Sequence, residues 1–203
     1  MKLAFRVLLA SGSPRRREIL AQLGVPFVVV PQDATELASG ASPRRVAFEN
    51  ARRKARAAAV PATVATSRGS LKDVVVGVDT IVVLGGCVLG KPRDARESRG
   101  MIEALSGHTH EVISAIHLAL GRGGRAVTLA ASTAVTFRRL TAREILWYVE
   151  TGEGRDKAGG YGIQGLGALL VEGIHGDYFN VVGFPVQAFR RGLARLGLHF
   201  PVR

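Results

Sequence analysis

Residues 8–20, LLASGSPRRREIL, constrain this chain more than any other stretch. An apolar run (Leu3, Ala4, Phe5, Val7, Leu8, Leu9) ends in the small turn Ala10-Ser11-Gly12-Ser13-Pro14, and a helix pattern follows through Ile19 and Leu20. Ser13 suits a helix N-cap, and Pro14 suits the first helical position, where its missing N–H costs nothing. Glu18 is a favourable acid in the first turns. Arg15, Arg16 and Arg17 are the odd choice, because that helix end already carries partial positive charge. They make sense if an anion sits at the turn: backbone N–H groups, two hydroxyls and guanidinium forks together form a phosphate cradle. The plainer alternative is a helix start with a solvated basic face.

The strand-turn-helix start fits the composition. At 203 residues, 47% hydrophobic and with 25 glycines, the chain reads as a globular α/β protein, one domain or two closely packed lobes. A net charge of +12, carried mostly by arginine, suits a nucleic acid, a membrane surface or a polyanionic small substrate. There is no aromatic-basic interleaving and no homeodomain, zinc-finger or RNA-recognition signature, so stable nucleic-acid binding is not expected. The single Cys87 excludes an intrachain disulfide and a Cys-rich metal site. Arg6 interrupts the N-terminal apolar run and no run approaches a membrane span, so neither a signal peptide nor a membrane anchor is expected.

In chain order, Leu23-Gly24-Val25-Pro26 stops the first helix. Residues 27–30 are β-branched and aromatic, a second strand, followed by a loop holding Asp33 and Glu36. Strand ends are where α/β proteins place working residues, though either acid alone reads as a solvated loop residue. Ser42-Pro43 opens a helix with Val46, Ala47, Ala51 and Ala55 on one face; Lys54, by itself, reads as a solvated helix charge. Residues 63–72 are a polar connection. Residues 74–78 are a buried strand running into Asp79-Thr80, and residues 81–84 continue extended to a Gly85-Gly86 hairpin turn. Asp79 is an acid inside an apolar run, costly unless paired, hydrogen-bonded or metal-bound, and therefore either functional or part of a structural network.

Residues 85–91 fit GxxxxGK, but Pro92 replaces the hydroxyl residue and the run holds a strand-like apolar triplet, so a P-loop is rejected; Lys91 can still reach an anion. A helix covers 94–105. His108 and His110 lack further ligands at a telling spacing and read as surface or structural histidines. Strands are expected over 112–120 and 127–137, and a helix from the Thr141 cap through Val149, with Glu144 at capping-box distance. Trp147 is expected in the core or an interface. The glycines of 156–167 indicate tight backbone geometry or close approach to a ligand, the plainer alternative being a bend or bulge in a sheet, and Gln164 among them offers donor and acceptor to a base edge. Residues 169–171 read as a strand, 174–178 as a turn and 186–196 as the last helix.

Taken together, ASGSPRRREIL, GVDTIVV, LGKPRD, LSGHTHEV, DKAGGYGIQG and NVVGFPV, in that order, resemble the Maf family of nucleoside triphosphate pyrophosphatases. The resemblance covers nearly the whole chain. It implies a single catalytic domain over 1–203, with a two-lobed mixed-sheet α/β fold similar to inosine triphosphate pyrophosphatases and a central substrate cleft. It implies hydrolysis of a nucleoside triphosphate to monophosphate and pyrophosphate with a divalent cation, Mg²⁺ or Mn²⁺. By position, Ser11, Ser13, Arg15 and Arg16 would hold phosphates and Lys54 and Lys91 would neutralise them. Glu36 and Asp79 would supply the carboxylates, Glu36 to the metal and Asp79 either as metal ligand or as the family's proton acceptor, two roles the sequence does not separate. Arg15, Thr80 and Gln164 resemble the branch that acts on dTTP and UTP. Phe184 stands where the family usually has Leu. A cytoplasmic location and a homodimer are compatible with this reading. The rival is a non-catalytic nucleotide- or nucleic-acid-binding regulator of cell division.

Overall fold

The computed structural model describes residues 3–37, 42–59, 71–121 and 124–200; most of the expected 63–72 connection lies outside them. In chain order the elements are β1 (Phe5–Ala10), α1 (Pro14–Gln22), β2 (Phe27–Val29), α2 (Pro43–Arg56), β3 (Lys72–Leu84), β4 (Cys87–Leu89) and α3 (Ala95–Leu105). Then come β5 (Thr109–Leu120), β6 (Ala126–Phe137), α4 (Ala142–Thr151), β7 (Val171–His175), α5 (Tyr178–Val182) and α6 (Val186–Arg195). Two 3-10 turns, Ala158–Gly160 and Gly165–Leu170, precede β7.

The sheet runs β2-β1-β3-β5-β6-β7, with β4 also on β3. β1 is parallel to β2 and β3, while β4 and β5 pair β3 antiparallel, as do β6 with β5 and β7 with β6. This is the mixed α/β fold read from the sequence. Its organising feature is a fork. β1 accompanies β3 only as far as Ala10 opposite Gly77, and β4 joins β3 from Val82 onward. Residues 78–81 therefore have no strand on that side among the described residues. Their other side is paired with β5 throughout, Asp79 opposite Ala115 and Thr80 opposite Ser114.

β3 is apolar on both faces because both are covered. Val74, Val76 and Val78 join Val7, Leu9, Ile19, Leu20, Phe189 and Leu193, which seats α1 and α6 on one face. Val82, farther along that face, packs with Ile102, Leu105, Tyr148 and Val149 of α3 and α4. On the opposite face Ile81 and Val83 meet Ala47 and Ala51 of α2, and Val75 meets Ala55. α2 thus spans the fork on one side of the sheet.

The capping signals hold at α2, where Ser42 accepts from the Arg45 N–H, and at α4, where Thr141 and Glu144 form a full capping box. At α1 they hold in part. Ser13 is the N-cap residue, but its side chain makes no capping bond, and the first turn holds no acid. One local expectation is corrected. Leu169 and Leu170 lie in the 3-10 turn, not in a strand, and β7 begins at Val171 and ends at His175, two residues into the expected 174–178 turn. The 156–167 glycines take the tight backbone geometry expected of them, in turns outside the sheet. Trp147 lies on the outer face of α4, 43% exposed. Of the two histidines, His108 is exposed, and His110 is buried and shares a 2.7 Å hydrogen bond with the Tyr161 hydroxyl.

Candidate active site

The fork opens into a cavity of about 340 Å³. The turn between β1 and α1 forms one wall. Ser11 is buried there, and its Oγ accepts from the Ser13 N–H at 3.3 Å and from Arg16 Nη1 at 2.7 Å. Arg16 goes on to donate through Nε to the Gly183 carbonyl at 2.9 Å and through Nη2 to Thr80 Oγ1 at 3.3 Å. One guanidinium therefore ties the turn, β3 and the end of α5 together. Burial lowers its pKa to about 10, and the neighbouring Arg15 adds to that against the pull of Asp79 and Glu36; it remains charged at neutral pH. Arg15 donates to the Val182 carbonyl at 3.4 Å and lies 3.9 Å from Asp156. Arg17 is exposed and takes no part in lining the cavity.

Asp79 and Thr80, being adjacent on a strand, point to opposite faces of the sheet. Thr80 meets Ser114 at 2.8 Å, and Ser114 donates to the Asn180 carbonyl at 2.9 Å, which anchors α5 on β5. Asp79 points toward α2. Lys54 Nζ donates to its Oδ1 at 2.6 Å, and Asn50 Nδ2 to its Oδ2 at 3.2 Å. Asn50 and Lys54 lie one helical turn apart on the buried face of α2. The helix comes this close because residue 77 is glycine: a Cβ there would run into the Ala51 carbonyl and the Ala55 backbone N. Lys54 also pairs with Glu36 at 2.8 Å. Partial burial pushes the Glu36 carboxyl up, but the Lys54 ammonium, with Lys91 and Arg16 beyond it, holds it below the usual carboxylate range.

The 156–167 segment forms the far wall. Gly159 N–H donates to the Gly90 carbonyl at 2.9 Å and the glycine lies against Val82, which sets the segment on the β4 side of the fork. Lys91, exposed, and Gln164, exposed, both reach the cavity.

All ten residues singled out in the sequence (Ser11, Ser13, Arg15, Arg16, Glu36, Lys54, Asp79, Thr80, Lys91, Gln164) line this one cavity. Lys54 is the clearest revision of a residue-by-residue reading: it is a buried partner of two carboxylates, not a solvated helix charge. Sequence reasoning missed Gln32, Asp156, Lys157 and Tyr161, which also line the cavity, and Asn50, which holds Asp79. Asn50 carried a signal, a polar residue on the Ala47–Ala51 face of α2. Five basic side chains against three acidic ones give the cavity an excess of positive charge.

The site is a cleft in an α/β protein, basic along the β1–α1 turn and carboxylate-bearing at the strand beside it. Residues 6–196 match the family model described as Maf-like protein, and the chain belongs to that family. It is 44% identical over 193 residues to the dTTP/UTP pyrophosphatase of Deinococcus radiodurans, covering 95% of this chain and 94% of that protein. It is 47% identical over 203 residues to the dTTP/UTP pyrophosphatase of Anaeromyxobacter sp. (strain Fw109-5), covering 98% and 93%. A human relative, "Probable bifunctional dTTP/UTP pyrophosphatase/methyltransferase protein", is 42% identical over 98% of this chain, which spans 33% of that protein.

Proposed function

We propose that this chain is a catalytic nucleoside triphosphate pyrophosphatase that hydrolyses dTTP and UTP to the monophosphate and pyrophosphate. The observation that carries the reading is Asp79. It is a buried acid, held from α2 by Lys54 and Asn50, on the stretch of β3 between the end of the β1 pairing and the start of the β4 pairing, where one edge has no strand among the described residues. The relatives' names supply the substrate class.

In this reading the triphosphate lies along the β1–α1 turn, met by Ser11, Ser13, Arg15 and Arg16, with Lys54 and Lys91 neutralising the remaining charge. Water attacks the α-phosphorus, the α–β anhydride bond breaks and pyrophosphate leaves. Asp79 orients the water and accepts its proton. Lys54 bridges Asp79 and Glu36 until the phosphates arrive. The same two carboxylates fit a divalent cation. They are hard oxygen donors that already share one cation, the Lys54 ammonium, and Mg²⁺ or Mn²⁺ is commonly held by one or two carboxylates together with substrate phosphates. No group of three or more His, Cys, Asp or Glu side chains is placed to hold a metal among the described residues, so substrate oxygens would complete the coordination. When bound, the cation would polarise a phosphoryl oxygen.

Uracil and thymine present acceptor, donor, acceptor along one edge. The Gln164 amide matches two of these and backbone groups of its glycine neighbours another. Cytosine exchanges an acceptor for a donor and loses the ring N–H, a mismatch that sites built for hydrogen bonding reject by up to about 10⁴-fold. Thr80, next to Asp79, ties base or sugar recognition to the reacting end. The whole chain would act as one catalytic domain of two lobes around the cavity. The exposed, unpaired Cys87 suits a reducing compartment such as the cytoplasm.

The test is a nucleotide panel with Mg²⁺. Pyrophosphate is expected from dTTP and UTP, with CTP and purine triphosphates poor, and Gln164→Ala should blunt the preference more than it slows the best substrate. Direct release of orthophosphate, with no second enzyme present, would overturn the reaction. A panel led by GTP or a methylated GTP would overturn the specificity and leave pyrophosphate release standing.

A further inference from the structure

Gln164 holds the N-cap position of the Gly165–Leu170 turn, yet its side chain makes no capping hydrogen bond. The N–H groups that a cap would satisfy are taken by another residue. Glu153, just past α4, accepts from Leu166 N–H through Oε2 at 2.8 Å and from Gly167 N–H through Oε1 at 2.8 Å. Tyr148 braces the same carboxylate, its hydroxyl donating to Oε1 at 3.2 Å while accepting from Gly162 N–H at 3.3 Å. The residues on either side of Gln164 are therefore held by one Tyr148–Glu153 pair. The fit is close: Gly165 lies at φ +68°, and a Cβ on it would come within 2.6 Å of Glu153 Oε2. Glu153 is itself fixed, its N–H donating to Thr151 Oγ1 at 3.2 Å and its carbonyl accepting from Lys157 Nζ.

Resting on the reading of Gln164 as the base-selecting residue, we infer that Glu153 is the positioning residue for base selection. By capping the turn from α4, its carboxylate releases the Gln164 amide from local bonding and presents it to the cavity. Glu153 does not line the cavity. Without it, the amide of Gln164, at the N-cap position, is free to accept from the orphaned N–H groups, and capping its own turn draws that amide away from the substrate.

The experiment compares dTTP with CTP in the wild type, Glu153→Gln, Gln164→Ala and the double variant. Glu153→Gln puts an amide donor against a backbone donor. The ratio of kcat/KM for dTTP over CTP should fall at least about tenfold, chiefly through KM for dTTP, with kcat held within about threefold because the phosphate end is untouched. Added to Gln164→Ala, Glu153→Gln should change the ratio by less than about twofold, since both act through one amide. An unchanged ratio, or a loss that adds in full to that of Gln164→Ala, overturns the inference. Should Glu153→Gln not fold, Tyr148→Phe removes the brace at nearly constant volume and should lower the ratio by about threefold; a ratio unmoved there overturns it equally. A wild type with no preference for dTTP over CTP overturns the reading of Gln164 itself, and the inference with it, before any variant is made.

Discussion

Lys54 Nζ lies 2.6 Å from Asp79 Oδ1, and the two side chains are only 8% and 5% exposed. An ion pair so enclosed is easily made unstable by half. Removing one partner of a buried pair costs about 3–5 kcal/mol, because the other charge is left uncompensated, whereas removing both is often neutral. Lys54→Met should therefore lower unfolding stability by roughly that amount in urea at pH 7, and Lys54→Met with Asp79→Asn should recover most of it. Both variants should be inactive. A single variant as stable as wild type would show that the pair contributes nothing to the fold.

Asp79→Asn keeps shape but removes the charge, the proton acceptor and one of the two oxygens that accept from Lys54 and Asn50. Turnover should fall by at least about 100-fold, the scale of general-base loss, with the melting transition still cooperative. Near-normal turnover in the folded variant would remove Asp79 from the mechanism.

Gly77→Ala tests how α2 delivers Lys54. The added methyl meets the Ala51 carbonyl, the Ala55 backbone N and, at 2.9 Å, the Ala55 Cβ, so the helix itself must move. Overpacking of this kind costs about 1–3 kcal/mol. Because the same shift withdraws Lys54 and Asn50 from Asp79, activity should drop further than stability alone explains, measured at a temperature where the variant is fully folded. Full specific activity would show that α2 can slide without disturbing the acid.

Acid pH should weaken the fold through two buried histidines. Burial lowers the pKa of His110 to about 4, and burial together with Arg52 and Arg56 lowers that of His117 to about 4, against an ordinary 6.5. Between those values the unfolded chain binds more protons than the folded one, so stability rises with pH across that window and falls on acidification through it. Thermal melts from pH 7 down to pH 4 should show a falling midpoint, and His110→Gln with His117→Asn should flatten the slope. A midpoint constant to pH 5 in the wild type would contradict the burial of these rings as neutral groups.

The parts of the site legible in the sequence are those whose place is set by a local element. Ser11, Ser13, Arg15 and Arg16 sit where a strand stops and a helix starts, and Asp79 interrupts an apolar strand. What the sequence could not display is pairing across distance. Asn50 meets Asp79 from 29 positions away, and the burial of Lys54 depends on a glycine in another element. The strand expected at 169–171 begins only at Val171, because a short apolar run fits a 3-10 turn as well as a strand. Of the two places expected for Trp147 the core is excluded, and the signal was usable: Ile145, Tyr148 and Val149 fall on one helical face, which turns Leu146 and Trp147 outward.

The fork in the sheet has a mechanical consequence. The β1–α1 turn leaves β3 on one side of the gap, and the 156–167 segment is carried on the other, while β3 itself runs on unbroken, bonded to β5 along its length. Any widening of the gap to admit a nucleotide is then a rotation about β3, and Asp79 stands on the pivot, with almost no lever arm. On the proposed reading, the groups on the two sides of the gap can travel while the acid between them stays put.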